Sequence, residues 1–257
     1  KWPTCAHGGI IPSYGIGHSE AQWFVRGVPN VKKAFAKVWG TNDLLTSFDG
    51  VSLWRPWNID PSWKTQSGQA WFHIDQHPIS KPGKQCIQGL INLLPTSKEI
   101  GGNVVIPKSH NFFKDLPEEY KERVERLPLD IDHFRFPHDD PKLSSEPAVM
   151  AHMEPGDMLL WDSRTIHCSS SGSSLPEGTN DLIRAASLIC MMPKKLSSKE
   201  ILDKRIHAAE NLVSTTNWTN DFRNADEFPI ILEAENRDQY KWPKKPNLSD
   251  YQKELIA

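Results

Sequence analysis

Between residues 70 and 192 the chain is a succession of short β-type segments, and this run limits the available folds more than any other feature. "AWFHID", "CIQGLINLLP", "GNVVIP", "DMLLWD" and "RAASLICMMP" follow one another with turn residues between them. Several short strands with few helices between them pack as a barrel or a sandwich. The flanks differ. The first 30 residues are rich in Gly and Pro and read as loop, with a short helix near Ser19–Arg26. "NVKKAFAKVWGT" has helical apolar spacing at Val31, Ala34, Phe35 and Val38, with Asn30 as expected N-cap and Gly40 as stop. "LLTSFDGVSLWRPW" reads as a hairpin turning at Asp49-Gly50. Residues 112–147 form a charged, Pro-rich insertion expected to hold a helix over "LPEEYKERVERL". After Pro193, "SSKEILDKRIHAAENLV" predicts a helix capped by Ser197 or Ser198, followed by an irregular tail.

No composition shift marks a boundary, so 1–257 reads as a single domain. It has a β-core over about 45–193, an N-terminal lid and helix region over 1–44, and a helical and irregular extension over 194–257. Net charge is −2, which argues against a nucleic-acid binder or a membrane-surface binder, since both need a basic excess. No apolar run approaches 18 residues, so no membrane span is expected. The four cysteines form no CxxC pair and no disulfide framework, which points to a reduced, intracellular and cytoplasmic protein. A start at Lys1 leaves room for a preceding targeting segment.

His73 and Asp75 sit two apart, and on a strand such residues share a face. The pair can be an ordinary half-buried ion pair or a metal site short of one ligand. "PGDMLLWDSRTIHCSS" offers that ligand as His167, 94 residues later on another strand. Two imidazoles and one carboxylate are the facial set of non-haem Fe(II) oxygenases, which leaves positions open for a cosubstrate and O₂. With 2-oxoglutarate as cosubstrate, its far carboxylate needs a fixed cation. Arg184 opens "RAASLICMMP", and its planar fork suits a carboxylate. Ser169 could add a hydroxyl. Gln88 and Asn92 share a face with Leu90 and are candidates for the chelating end. Trp54, Trp57 and Trp71 are pocket or core residues, and Arg164 and Arg55 are candidates for a substrate anion. For Arg164 the competing reading is an ion pair at a strand end. His77 and His110 read as loop and turn residues. His133, His138, Asp139 and Asp140 read as surface groups of the insertion.

The segments "WFHIDQHP", "GGNVVIPKSH", "PGDMLLWDSRTIHCSS" and "RAASLICMMP" resemble the phytanoyl-CoA dioxygenase family over about residues 45–193. The resemblance implies a double-stranded β-helix (the jelly-roll or cupin fold) with flanking helices. It implies iron ligation by His73, Asp75 and His167, with Arg184 and Ser169 on 2-oxoglutarate. The family usually places the arginine about ten residues after the distal histidine, whereas "SGSSLPEGTND" lengthens that connection here. The implied activity is Fe(II)- and 2-oxoglutarate-dependent hydroxylation of a small-molecule substrate, with O₂ consumed, succinate and CO₂ released, and ascorbate as a supporting reductant. Two other readings stay open: a non-catalytic β-helix sensor or scaffold, and another cupin-type metalloenzyme with no use for Arg184 and Ser169. The charged, Pro-broken insertion is expected to be mobile, and part of 112–147 together with the first 30 residues is expected to cover the pocket and set substrate choice.

Overall fold

The computed structural model describes residues 2, 3, 5, 9–65, 71–233 and 239–257. Eleven strands are described. They are β1 (Ile10–Ile11), β2 (Leu44–Thr46), β3 (Val51–Trp54), β4 (His73–Asp75), β5 (Ile87–Asn92) and β6 (Gly101–Val105), then β7 (His133–Arg135), β8 (Val149–Met150), β9 (Met158–Asp162), β10 (His167–Ser171) and β11 (Arg184–Pro193). Ala70, placed on a strand by the sequence, lies outside the described residues. One sheet runs β1-β3-β11-β5-β9, with β2 also on β11, and the other runs β7-β4-β10-β6-β8. Every pairing is antiparallel. These are the two sheets of a jelly-roll core.

Helices α1 (Glu20–Arg26) and α2 (Pro29–Trp39) back the first sheet. Val25, Val31 and Phe35 pack on Ile87, Ile91, Ile189 and Met191, the outward-facing alternate residues of β5 and β11. Ser19 caps α1 through the Gln22 N–H as its sequence position implies. Helix α2 begins one residue before the expected cap, with Pro29 in the first turn and Val28 at the N-cap. Proline's fixed φ and missing N–H suit that position, which outranked Asn30. The inward alternates Leu90, Leu159, Trp161, Ala186 and Leu188 cluster between the sheets.

Asp49-Gly50 makes no hairpin. β2 pairs with Met191–Pro193 and β3 with Arg184–Ser187, both antiparallel to the same strand, so they run in one direction along β11. Gly50 is required for a different reason: a Cβ there would collide with the carbonyl oxygen of Ile11. The dipeptide marks a close approach of β1, and Asp49 is left facing inward.

The insertion also departs from expectation. Its helix is broken at Tyr120 into α3 (Leu116–Glu119) and α4 (Lys121–Glu125). Phe113, Leu116, Val124, Phe134 and Phe136 are all at most 4% exposed and pack on Phe72, Ile74, Val104 and Ile106, the outer face of the second sheet. A charged, Pro-broken composition hid five anchoring residues, and the segment is packed wall rather than loose cover. The C-terminal extension holds α5 (Lys199–Asn211), capped by Ser198, with α6 (Pro229–Leu232) and α7 (Asp250–Lys253). Buried Arg205 on α5 donates to the carbonyls of Thr46, Leu255 and Ile256, tying this extension to β2. Among the described residues, no helix is long and apolar enough to cross a membrane.

Candidate metal centre

Strand β4 sets the phase of the site. Ile74 is fully buried in the outer aromatic cluster, so period-two alternation turns His73 and Asp75 inward. His167 opens β10 directly opposite His73. The Nε2 atoms of His73 and His167 lie 3.4 and 3.3 Å from the two carboxylate oxygens of Asp75. One ligand atom from each of the three residues falls within 4.8 Å of the others. Three ligands on one octahedral face at ~2.1 Å from a first-row ion would stand about 3.0 Å apart, so these residues fit a divalent metal with little adjustment.

The imidazoles are oriented from behind. His73 Nδ1 lies 2.9 Å from the carbonyl of Trp71, and His167 Nδ1 lies 2.8 Å from that of Thr165. A carbonyl only accepts, so each Nδ1 carries the proton and each Nε2 presents a lone pair to the centre. Burial pushes the His73 imidazole down to about 4, helped by His167 and His133 and opposed by Asp75. It is therefore neutral and ligand-competent near pH 7. Burial alone would raise Asp75, but His73 and the histidine hydrogen bonds around it hold the carboxyl well below its usual range. Gln88 donates to Asp75 Oδ2 at 2.9 Å. Trp71 stacks on His73 at 4.9 Å and donates its indole N–H to the Ser169 carbonyl.

A cavity of about 220 Å³ extends from the centre in two directions. At one end Arg184 is 1% exposed, lies 4.5 Å over the Trp54 ring, and reaches the Ser169 hydroxyl at 3.4 Å. The long connection before it runs out as a mostly exposed loop and still delivers the guanidinium beside β10. Burial lowers Arg184 to about 10, so it stays charged. Among the described residues it has no carboxylate in ion-pair reach, and its Nε has no partner. At the other end stand Asp49, Cys190, Thr215, Thr216, Asn217 and Phe228. Thr216 Oγ1 is buried without a partner there. Ile10 and Pro12 also line the cavity. Residues 1, 4 and 6–8 of the expected N-terminal cover lie outside the described residues.

Several other candidates lie elsewhere. Asn92 spends its amide on the carbonyls of Leu94 and Met153. Trp57 packs with Trp54 and Ile183. Arg55 stacks on Trp2 and Trp63. Arg164 makes a two-point pair with Asp162 at the strand end, the competing reading given above. None of these four lines the cavity. Gln88 does, but on Asp75 rather than on a chelating group. Asp140 is buried and accepts from Tyr120 and Lys142, while His138 and Asp139 are exposed as expected. His133 keeps 37% of its side chain exposed but also reaches the centre: its ring lies 4.4 Å from that of His73 and its Nδ1 3.5 Å from Asp75 Oδ1. Sequence reasoning also passed over Asn103, whose Oδ1 is buried without a partner in the cavity wall opposite Ser169. The signal was available: Val104 packs outward, so its neighbour on β6 must face in.

The family model described as phytanoyl-CoA dioxygenase (PhyH) matches residues 29–175, which include the three converging residues and Ser169 but stop before Arg184. "Ava biosynthesis cluster protein O" of Aspergillus versicolor is 33% identical over 211 residues, covering 79% of this chain, and this chain spans 64% of its length. Among solved structures, GlcNAc Inducible Gene 2 (DUF1479) from Candida albicans aligns over 98% of this chain and 70% of its own, with TM-score 0.51 and 13% identity. The epimerase SnoN, solved in complex with Fe3+, alpha ketoglutarate and nogalamycin RO, aligns over 75% of this chain and 66% of its own, with TM-score 0.48 and 16% identity. With more than half its length matched, the chain belongs to the phytanoyl-CoA dioxygenase family.

Proposed function

We propose that the protein is a dioxygenase that hydroxylates a small molecule, with 2-oxoglutarate converted to succinate and CO₂. The observation that carries this reading is Arg184. A buried guanidinium without a counter-ion costs several kcal/mol, so such a site is completed by an anion that arrives from outside. Its position in the same cavity as the His73–Asp75–His167 set fits a cosubstrate held by metal at one end and by arginine at the other.

Nε2 of His73 and of His167 and one oxygen of Asp75 would hold Fe(II). With 2-oxoglutarate and O₂ bound, that ion supplies oxidative decarboxylation coupled to oxidation of a C–H bond. The Arg184 fork and the Ser169 hydroxyl fix the far carboxylate. Trp71 shields His73 from water on one side. The substrate takes the end across the metal from Arg184, where Asp49 and Thr216 call for hydrogen-bond donors such as amines or hydroxyls.

The test is O₂-dependent succinate formation from 2-oxoglutarate with Fe(II), screened against small amines and alcohols. Stimulated turnover with a hydroxylated product supports the proposal. Binding of 2-oxoglutarate without any turnover would leave a sensor, and metal uptake without 2-oxoglutarate binding would leave another cupin-type enzyme.

A further inference from the structure

The insertion supplies a side chain to the metal centre. Among the described strands, β7 is the edge strand of the second sheet and pairs with β4 alone, with His73 opposite Arg135, Ile74 opposite Phe134 and Asp75 opposite His133. This register is pinned from outside. Phe134 meets Phe136 at 5.2 Å and Tyr120 at 5.6 Å, both edge-on, within the cluster that buries Ile74. A one-residue slip would put Phe134 on the Asp75 carboxylate and a histidine among the aromatics. The aromatic packing therefore turns His133 to the Asp75 side of the sheet, where its side chain stays 37% exposed.

There it addresses one oxygen of Asp75 and Gln88 addresses the other. His133 Nδ1 lies 3.5 Å from Oδ1, and Gln88 Nε2 lies 2.9 Å from Oδ2. The His133 ring also lies against His73. It does not belong to the group whose ligand atoms fall within 4.8 Å of one another. Its place is behind a ligand, where such groups fix orientation and basicity. We infer that His133 is a positioning residue that, together with Gln88, holds the Asp75 carboxylate in its metal-binding pose, which makes the 112–147 insertion part of the metal centre. This rests on the proposed metal reading of His73, Asp75 and His167.

The test is Co(II) titration of the full chain, read by visible absorption, with apo-protein melting followed in parallel. His133→Ala should weaken Co(II) binding by roughly 10- to 100-fold and alter the Co(II) spectrum, as expected when a carboxylate ligand loses its orienting partner. His133→Gln, which keeps a donor, should recover much of the affinity. His133→Phe keeps a ring on the strand and removes its nitrogens. It should behave like the alanine variant, and it decides the matter if alanine loosens β7. Affinity and spectrum within twofold of wild type in His133→Phe would overturn the inference alone. A wild-type chain that takes up no Co(II) would remove the metal reading and this inference with it.

Discussion

Asp49→Asn is expected to stabilise the protein at neutral pH while weakening its hold on substrate. Burial lifts the Asp49 carboxyl from 3.8 to about 6. The Gly50 N–H and the Arg26 guanidinium oppose this rise, and the Asp75 charge adds to it. The folded state thus binds this proton more tightly than the unfolded chain, so stability falls as pH rises from about 4 through about 6 and is flat above. A rise of roughly two units at 1.36 kcal/mol each is about 3 kcal/mol, trimmed toward 2 by the solvent that reaches a half-buried group. Asparagine does not titrate and still accepts from the Gly50 N–H, which Asp49 Oδ1 does at 2.8 Å. Urea unfolding of the apo protein should show equal stabilities near pH 4 and a variant ahead by about 2–3 kcal/mol at pH 7.5, or roughly 5–10 °C in Tm. Metal loading offsets the Asp75 charge and should narrow the gap. A variant less stable at pH 7.5, or a difference independent of pH, would refute the reasoning. A residue kept against stability is a residue kept for binding, so the same variant should raise KM for any accepted substrate.

Arg184→Lys should weaken 2-oxoglutarate binding by one to a few kcal/mol, because a point charge replaces a fork; calorimetric titration of the Co(II)-loaded chain checks this. Phe134→Ala should cost about 3–5 kcal/mol in urea unfolding, since it empties a buried aromatic site between Ile74 and Phe136; a loss below 1 kcal/mol would mean the insertion is not part of the core. His18 is 1% exposed and pushed down to about 3 by burial and by the charges of Arg26 and Arg205, against the Val213 carbonyl. Its contribution is fully present above pH 6.5 and is lost as pH falls toward 3, so His18→Gln should flatten that part of the acid-stability profile.

The sequence showed the site where side-chain alternation was clean. His73 and Asp75 share a face because Ile74 between them belongs to the core, and the same logic carried Gln88 inward with Leu90. It failed where two physical causes favour one residue type. Asp-Gly is both a hairpin pair and a response to close backbone approach, and only the pairing of β2 and β3 with a common strand separates the two. Arg55 and Arg164 looked like anion sites, but guanidinium planes serve equally on tryptophan rings and on a neighbouring aspartate. His133 was lost among charges because the phenylalanines that orient it are spread through Pro-rich sequence.

Strand β11 joins both ends of the cavity. Arg184 and Cys190 face the same side six residues apart, a separation of about 20 Å at the rise of a β-strand. A strand cannot be lengthened gradually: one added residue turns every later side chain to the opposite face, and two are needed to restore the phase. The two ends of the cavity, which the proposed function assigns to cosubstrate and substrate, are therefore spaced by a ruler with coarse divisions. The length of that end can change through segments off that ruler, such as 47–50 and 215–217, without disturbing the arginine at the far mark.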